Sequence, residues 1–142
     1  MKALAWLLLG FVALATGCGT LTTAGRVDLG KHRRVWVEQR LNDNLGVGRK
    51  LAGELQALGY TADVGPLTMM PENTEWIVTY DAREEWDFRA YLIELNVSVR
   101  PTRDYNLIVS TARYFHPGVT KKSSDAMIHE LVVKLFPPCH AK

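Results

Sequence analysis

The stretch YLIELNVSVR, Tyr91 to Arg100, constrains the fold more than any other part of the chain. Tyr91, Ile93, Leu95, Val97 and Val99 alternate with Leu92, Glu94, Asn96, Ser98 and Arg100. Successive side chains of a strand point to opposite faces, so this period puts the first set on a core and turns the second, mostly polar, set to water. A strand half-buried in that way belongs to an antiparallel sheet with one covered face. Trp86, Phe88 and Ala90 carry apolar residues on the opposite parity, which predicts a face-switching bulge near Arg89–Ala90.

The neighbouring segments extend this strand into a meander. EWIVTYDA places Trp76, Val78 and Tyr80 on one face and Ile77 and Thr79 on the other. REEWD reads as a charged turn or connecting segment, PTRDYN as a turn, and LIVSTARYF as the returning strand. Earlier, RRVWVEQ, Arg33 to Gln39, is a strand with Val35 and Val37 on one face. Asn42 or Asp43 then caps a helix by accepting a backbone N–H bond. Val47, Leu51, Leu55 and Leu58 follow at helical spacing, and Gly59 closes the helix with Tyr60 folding back on Leu55. YTADV is a candidate short strand, and GPLTMMPEN a loop. A last helix starts at Ser123 or Ser124 and carries the apolar stripe Met127, Ile128, Leu131, Val132, Leu135 and Phe136, with Pro137-Pro138 to stop it. The order β-α-(β)-β-β-β-α predicts an α+β fold, a mainly antiparallel sheet of about four strands with two helices on one face.

Motifs that would carry chemistry fall short one by one. Gly46-Val47-Gly48 lacks the third glycine of a dinucleotide loop, because residue 51 is Leu51. HELVV, beginning at His129, lacks the second histidine of a zincin helix, because residue 133 is Val133. Asp81, Glu84, Glu85 and Asp87 form an acidic cluster interleaved with Arg83 and Arg89, without the glycine or spacing of a calcium loop. It reads either as a salt-bridged hairpin end or as paired carboxylates able to act as acid and base. Trp76, Trp86 and Tyr91 beside it are groove or core residues. The four histidines, 32, 116, 129 and 140, are scattered. No catalytic residue, metal site or cofactor is expected. The formal net charge of +2 is too near neutral to suggest a nucleic-acid partner. Trp86, Asp87 and Tyr91 are the candidate partner-binding residues.

The N-terminus carries an address. After Lys2, an apolar run extends from Ala3 to Ala15 and ends in Ala15-Thr16-Gly17-Cys18. A run of about a dozen residues matches a signal-peptide core and is too short to span a bilayer. The ending resembles the lipobox of bacterial lipoproteins. That resemblance implies cleavage before Cys18, lipid on its sulfur, and a protein held to a membrane by several acyl chains, of which two or more hold firmly. Gly19 follows, not an inner-membrane retention aspartate, so the resemblance implies the periplasmic face of the outer membrane. Lipoboxes usually have leucine where Ala15 stands, and Ala13-Leu14-Ala15 is also an ordinary A-x-A cleavage site, which would release a soluble periplasmic protein. A short buried N-terminal helix is the remaining alternative.

Residues 1–17 are then a lipoprotein signal peptide, 18–32 the lipidated cysteine and a tether, 33–136 a periplasmic α+β domain, and 137–142 a tail. Lys31-His32-Arg33-Arg34 meets anionic headgroups or simply solvates the start of the first strand. Acylation of Cys18 leaves Cys139 without an intramolecular partner, and Cys139 with His140 makes only two of the ligands a zinc site needs.

VTYDAREEWDFRAYLIELNVSVR and LIVSTARYFHPGVTKKSSDAMIHELVVKLF also resemble a group of small bacterial lipoproteins over roughly residues 33 to 136. They share a Tyr-Asp turn, a Trp-Asp pair, a Tyr-Leu strand start, and a Lys-containing loop before a helix ending in Leu-Phe. Members often carry a tryptophan two residues before the Trp-Asp pair, where this chain has Glu84. The resemblance implies location and fold, and no activity.

The expected function is that of a non-enzymatic, lipid-anchored cell-envelope lipoprotein binding another envelope component through its sheet edge or open face. Its membrane contact is the N-terminal lipid. The alternatives are an auxiliary of lipid or lipopolysaccharide transport or outer-membrane assembly, with an apolar groove between helices and sheet, and a secreted soluble protein. Labelled palmitate is expected to enter the wild type and not Cys18→Ser; equal labelling of both would exclude acylation at Cys18.

Overall fold

The 91–100 alternation lies in the middle of a six-stranded sheet. The computed structural model describes residues 19–25, 29, 34–116 and 122–138. Cys18, Cys139, His32 and His140 lie outside these described residues, as does the leader. The strands are β1 Thr20–Ala24, β2 Arg34–Glu38, β3 Thr61–Gly65, β4 Trp76–Asp87, β5 Arg89–Pro101 and β6 Ser110–Phe115, in the order β1-β6-β5-β4-β2-β3. The helices are α1 Val47–Ala57 and α2 Ser124–Leu135.

The fold is α+β, as the element order implies, but the sheet is larger than the expected four strands and is mixed. β1 arises in the segment expected to be a tether and pairs antiparallel with β6 from Thr20↔Phe115 to Ala24↔Thr111. Its sequence, TLTTA, suits a strand but has no apolar alternation that would mark one. β3 pairs parallel with β2 because α1 carries the chain back to the starting end of the sheet. β4 then adds parallel on the other side of β2, from Val35↔Trp76 to Val37↔Val78.

The core fills one side of the sheet. Val35, Val37, Val78, Tyr80, Leu95, Val97, Val99 and Ala112 meet Val47, Leu51 and Leu55 of α1 and Met127, Ile128, Leu131 and Leu135 of α2. The Tyr60 ring stands edge-on to Phe136 at 6.0 Å, and its hydroxyl donates to the Pro137 carbonyl at 2.6 Å. On the opposite face Glu94 accepts from Arg113 Nε at 2.7 Å, and that guanidinium holds its carboxyl below the usual range. Trp36 breaks the polar pattern there. Its indole lies on Gly65, where any Cβ would come within 2.7 Å of Cζ2.

Three local expectations are corrected. REEWD is part of β4, not a turn. The register shift falls between Arg83 and Glu84, with Arg83 opposite Glu94 and Glu84 opposite Leu92, so Ile93 is the extra residue of the bulge rather than Arg89 or Ala90. Leu92, not Tyr91 or Ile93, therefore shares the core with Leu95. In AYLIEL, runs of adjacent apolar residues let either parity fit, and only packing against the helices chooses. Finally, β6 begins at Ser110, leaving Leu107, Ile108 and Val109 in the preceding loop.

Asp43 is the residue that ties β2, α1 and β4 together. Its carboxylate accepts from Val47 N at 2.6 Å and Gly48 N at 2.9 Å, and from the Tyr80 hydroxyl at 3.0 Å. Tyr80 Oη in turn accepts from Arg40 N at 3.3 Å. Burial pushes the Tyr80 phenol from 10.0 up to about 12, with Asp43 adding to the rise and the Arg40 N–H opposing it. The fold holds the neutral phenol, so this contribution to stability is full below pH 10.0 and is lost as pH rises toward about 12. Tyr80→Phe is expected to be less stable than wild type at pH 8 and to close that gap between pH 10 and 12, read from urea midpoints; a gap independent of pH would contradict this.

Candidate functional site

β4 and β5 outrun every other strand. β2 last pairs with β4 at Val78, and β6 last pairs with β5 at Glu94. Above that level the two strands continue alone, from Glu84↔Leu92 through Glu85↔Tyr91 and Trp86↔Ala90 to Asp87↔Arg89. The tip, Phe88, lies six steps along the chain from Glu94, so this arm projects roughly 20 Å past the end of β6. A two-stranded ribbon is marginally stable in water unless something packs on it.

Phe88 alone makes the turn. Its φ is 57°, in the left-handed region that glycine or asparagine usually supplies and that is an outlier for a bulky residue. Its ring gains no compensating burial, since Phe88 is 97% exposed and Trp86 74% exposed. Two large aromatic residues in water at the end of a ribbon, one in a strained conformation, mark a candidate functional element more strongly than any other exposed apolar residues among those described.

The arm carries all three residues singled out from the sequence, but on two faces. Trp86 and Ala90 continue the side of Glu84 and Leu92, which is the helix side. Asp87, Arg89, Glu85 and Tyr91 lie on the other. Phe88, at the tip between them, escapes a sequence reading because DFR contains none of the glycine or asparagine that signals a tight turn. A hollow of about 340 Å³ lies between the β5 side of the arm and the segments that lead into the two helices, lined by Leu45, Arg89, Ala90, Tyr91, Lys122 and Ser123 among others.

The acidic cluster is laced to its surroundings. Asp81 accepts from Arg40 at 3.3 Å, Glu84 from Asn44 Nδ2 at 3.4 Å, and Arg83 stands 3.8 Å from Glu94. Exposed pairs of this kind contribute little to stability but hold the ribbon's charges in place. A cleft of about 520 Å³ opens where β2 ends beside the middle of β4, lined by Glu38, Arg40, Asp43, Tyr80 and Asp81 among others. Its polar groups satisfy one another: the Tyr105 hydroxyl donates to Glu38 at 2.6 Å, Arg40 holds Asp81, and Asp43 caps α1. His129 Nδ1 lies 2.8 Å from Glu54 Oε2, joining the two helices. Among the described residues, no three His, Cys, Asp or Glu side chains converge as a metal site, and no helix is long and apolar enough to cross a membrane.

Fold and site together define an α+β domain whose exposed signature is an aromatic-tipped strand pair. No protein-family model and no curated protein sequence matches the chain. In fold it is similar to crystal structures of PelC dodecamers from Paraburkholderia phytofirmans. One, a point variant, superposes with a TM-score of 0.62 at 13% identity over 82% of this chain and 98% of that one. Another gives 0.62 at 13% identity over 83% of this chain and 97% of the other. At that identity the likeness is one of fold.

Releasing Phe88 from its left-handed conformation should stabilise the domain. Phe88→Gly is expected to gain about 1 kcal/mol in chemical denaturation; a loss of stability would show that the ring supports the arm.

Proposed function

We propose that this chain is a lipid-anchored envelope protein without enzymatic activity, which holds another envelope component against its β4–β5 arm. The observation that carries this reading is the strained, exposed Phe88 beside exposed Trp86 on a ribbon that outruns its neighbouring strands. Exposed aromatic residues of this kind are the usual anchors of a binding surface, and a partner would cover the Trp86 and Phe88 rings that the domain leaves in water.

The lipobox-like leader supports the anchored part of the proposal. Gly19 leads directly into β1, whose Thr20 pairs with Phe115, itself opposite Glu94. A lipid on Cys18 would therefore join the sheet at the same end from which the arm departs, placing the aromatic tip and the periplasmic face of the membrane on one side of the domain. A soluble periplasmic form remains the alternative if cleavage follows Ala15. The packing between helices and sheet, where Val47, Leu51, Leu55, Met127, Ile128 and Leu131 are wholly buried, favours partner binding over a lipid-carrying groove.

A second reading has another copy of the chain as the arm's partner. The dodecameric assembly of both similar solved structures favours it.

Site-specific photocrosslinking from residue 88 in cells tests both. A p-benzoylphenylalanine at Phe88 is expected to give a discrete crosslinked species, either with a second protein or with another copy of the chain, and the same group at exposed Arg103 to give none. Trp86→Ala in the same chain should reduce the crosslink at least tenfold while leaving stability within about 0.5 kcal/mol, since Trp86 is exposed. Equal crosslinking from both positions would refute the arm as the contact element.

A further inference from the structure

The sheet has two outer strands, β1 and β3, and a strand edge offers unpaired backbone groups to any passing strand. The hydrogen-bond pattern identifies those groups. His116 N donates to Ile93 O, so the even-numbered residues of β6 face β5 and the odd-numbered ones face β1. Thr20, Thr22 and Ala24 consequently pair inward, and Leu21 and Thr23 direct their N–H and C=O outward. On the other edge, Gln39 N donates to Gly65 O, which turns Thr61, Asp63 and Gly65 toward β2 and leaves Ala62 and Val64 facing out.

In each outward row one carbonyl accepts from a side chain of the helix layer. Gln56 of α1 donates from Nε2 to the Ala62 carbonyl at 2.6 Å. Lys134 of α2 directs Nζ to the Leu21 carbonyl at 3.4 Å. Each helix thus places one polar side chain on the edge nearest it. β1 itself has no charge and no proline, the usual devices that discourage strand addition.

The two edges also match each other. β1, β6, β5 and β4 alternate in direction, while β4, β2 and β3 run the same way, so β1 and β3 are opposed. A β3 from a second copy can therefore lie antiparallel along β1. That contact joins unlike surfaces and leaves a fresh edge at each end, so nothing in the pairing itself requires it to close.

We propose that Gln56 and Lys134 are edge guards, which keep a second copy of this chain from adding its β3 to β1. They leave the arm as the contact element and block the sheet edges as a competing route to assembly. Both residues are exposed, so their removal spares the core.

The test is sedimentation velocity of the full mature chain in detergent over a concentration series. Gln56→Ala/Lys134→Ala is expected to form open-ended polymers at a concentration at least tenfold below any at which wild type does, with each single substitution intermediate. Thr23→Pro removes an outward N–H that β6 does not use. Added to the double variant, it should restore the wild-type profile. A folded double variant that sediments as wild type would overturn the proposal, and so would polymers that persist with Thr23→Pro.

Discussion

The pairing of β4 with β5 is the interaction on which the rest of the structure depends. Its lower half, from Trp76↔Pro101 to Arg83↔Glu94, is the centre of the sheet and supplies Val78, Tyr80, Leu95, Val97 and Val99 to the core. Its upper half is the arm. A single extra residue, Ile93, separates the two. That bulge brings Leu92 and Ala90 of β5 onto the core side, opposite Glu84 and Trp86 of the unbroken β4. Without it, Tyr91 rather than Leu92 would face the core from β5.

Around this ladder the remaining elements divide into two attachments of different kinds. On the β4 side, Asp43 joins the exit of β2, the first turn of α1 and the Tyr80 hydroxyl, so a half-buried polar contact sets where the parallel unit β2–α1–β3 sits. Charge-assisted bonds to two backbone N–H groups also leave that helix start without capacity for another anion. On the β6 side, the attachment is mainly backbone ladder and apolar packing, through β1 and α2. The helices meet each other across Tyr60 and Phe136 and close one face over both halves.

Much of the fold was legible because its signals are short-range. The 91–100 alternation, the Leu51–Leu55 stripe of α1, the Gly59 cap with its φ of 93°, and the Ser123 cap accepting from Ala126 N at 3.2 Å all follow from spacing and residue type. The site was legible in part. Trp86 and Asp87 on β4 and Tyr91 on β5 share the arm, yet the charge of REEWD suggested a turn, because three acids and a base around a single tryptophan have no apolar period to betray a strand. Phe88 gave no signal as a turn, since a phenylalanine is among the last residues expected at a positive φ.

By itself the sequence determined an α+β domain with two helices, a central antiparallel pair, an N-terminal apolar run that ends on Cys18, and an aromatic, acidic segment near residue 86. Those properties reside in local period and composition. Only the tertiary structure decided that β1 belongs to the sheet, that β2 has parallel neighbours on both sides, that the bulge falls at Ile93, and that Gln56 and Lys134 lie on opposite sheet edges. Each of these is a choice of partner between segments distant in the chain. Backbone hydrogen bonds are nearly the same for every residue type, so the choice is made by which register buries the most apolar surface beneath the two helices.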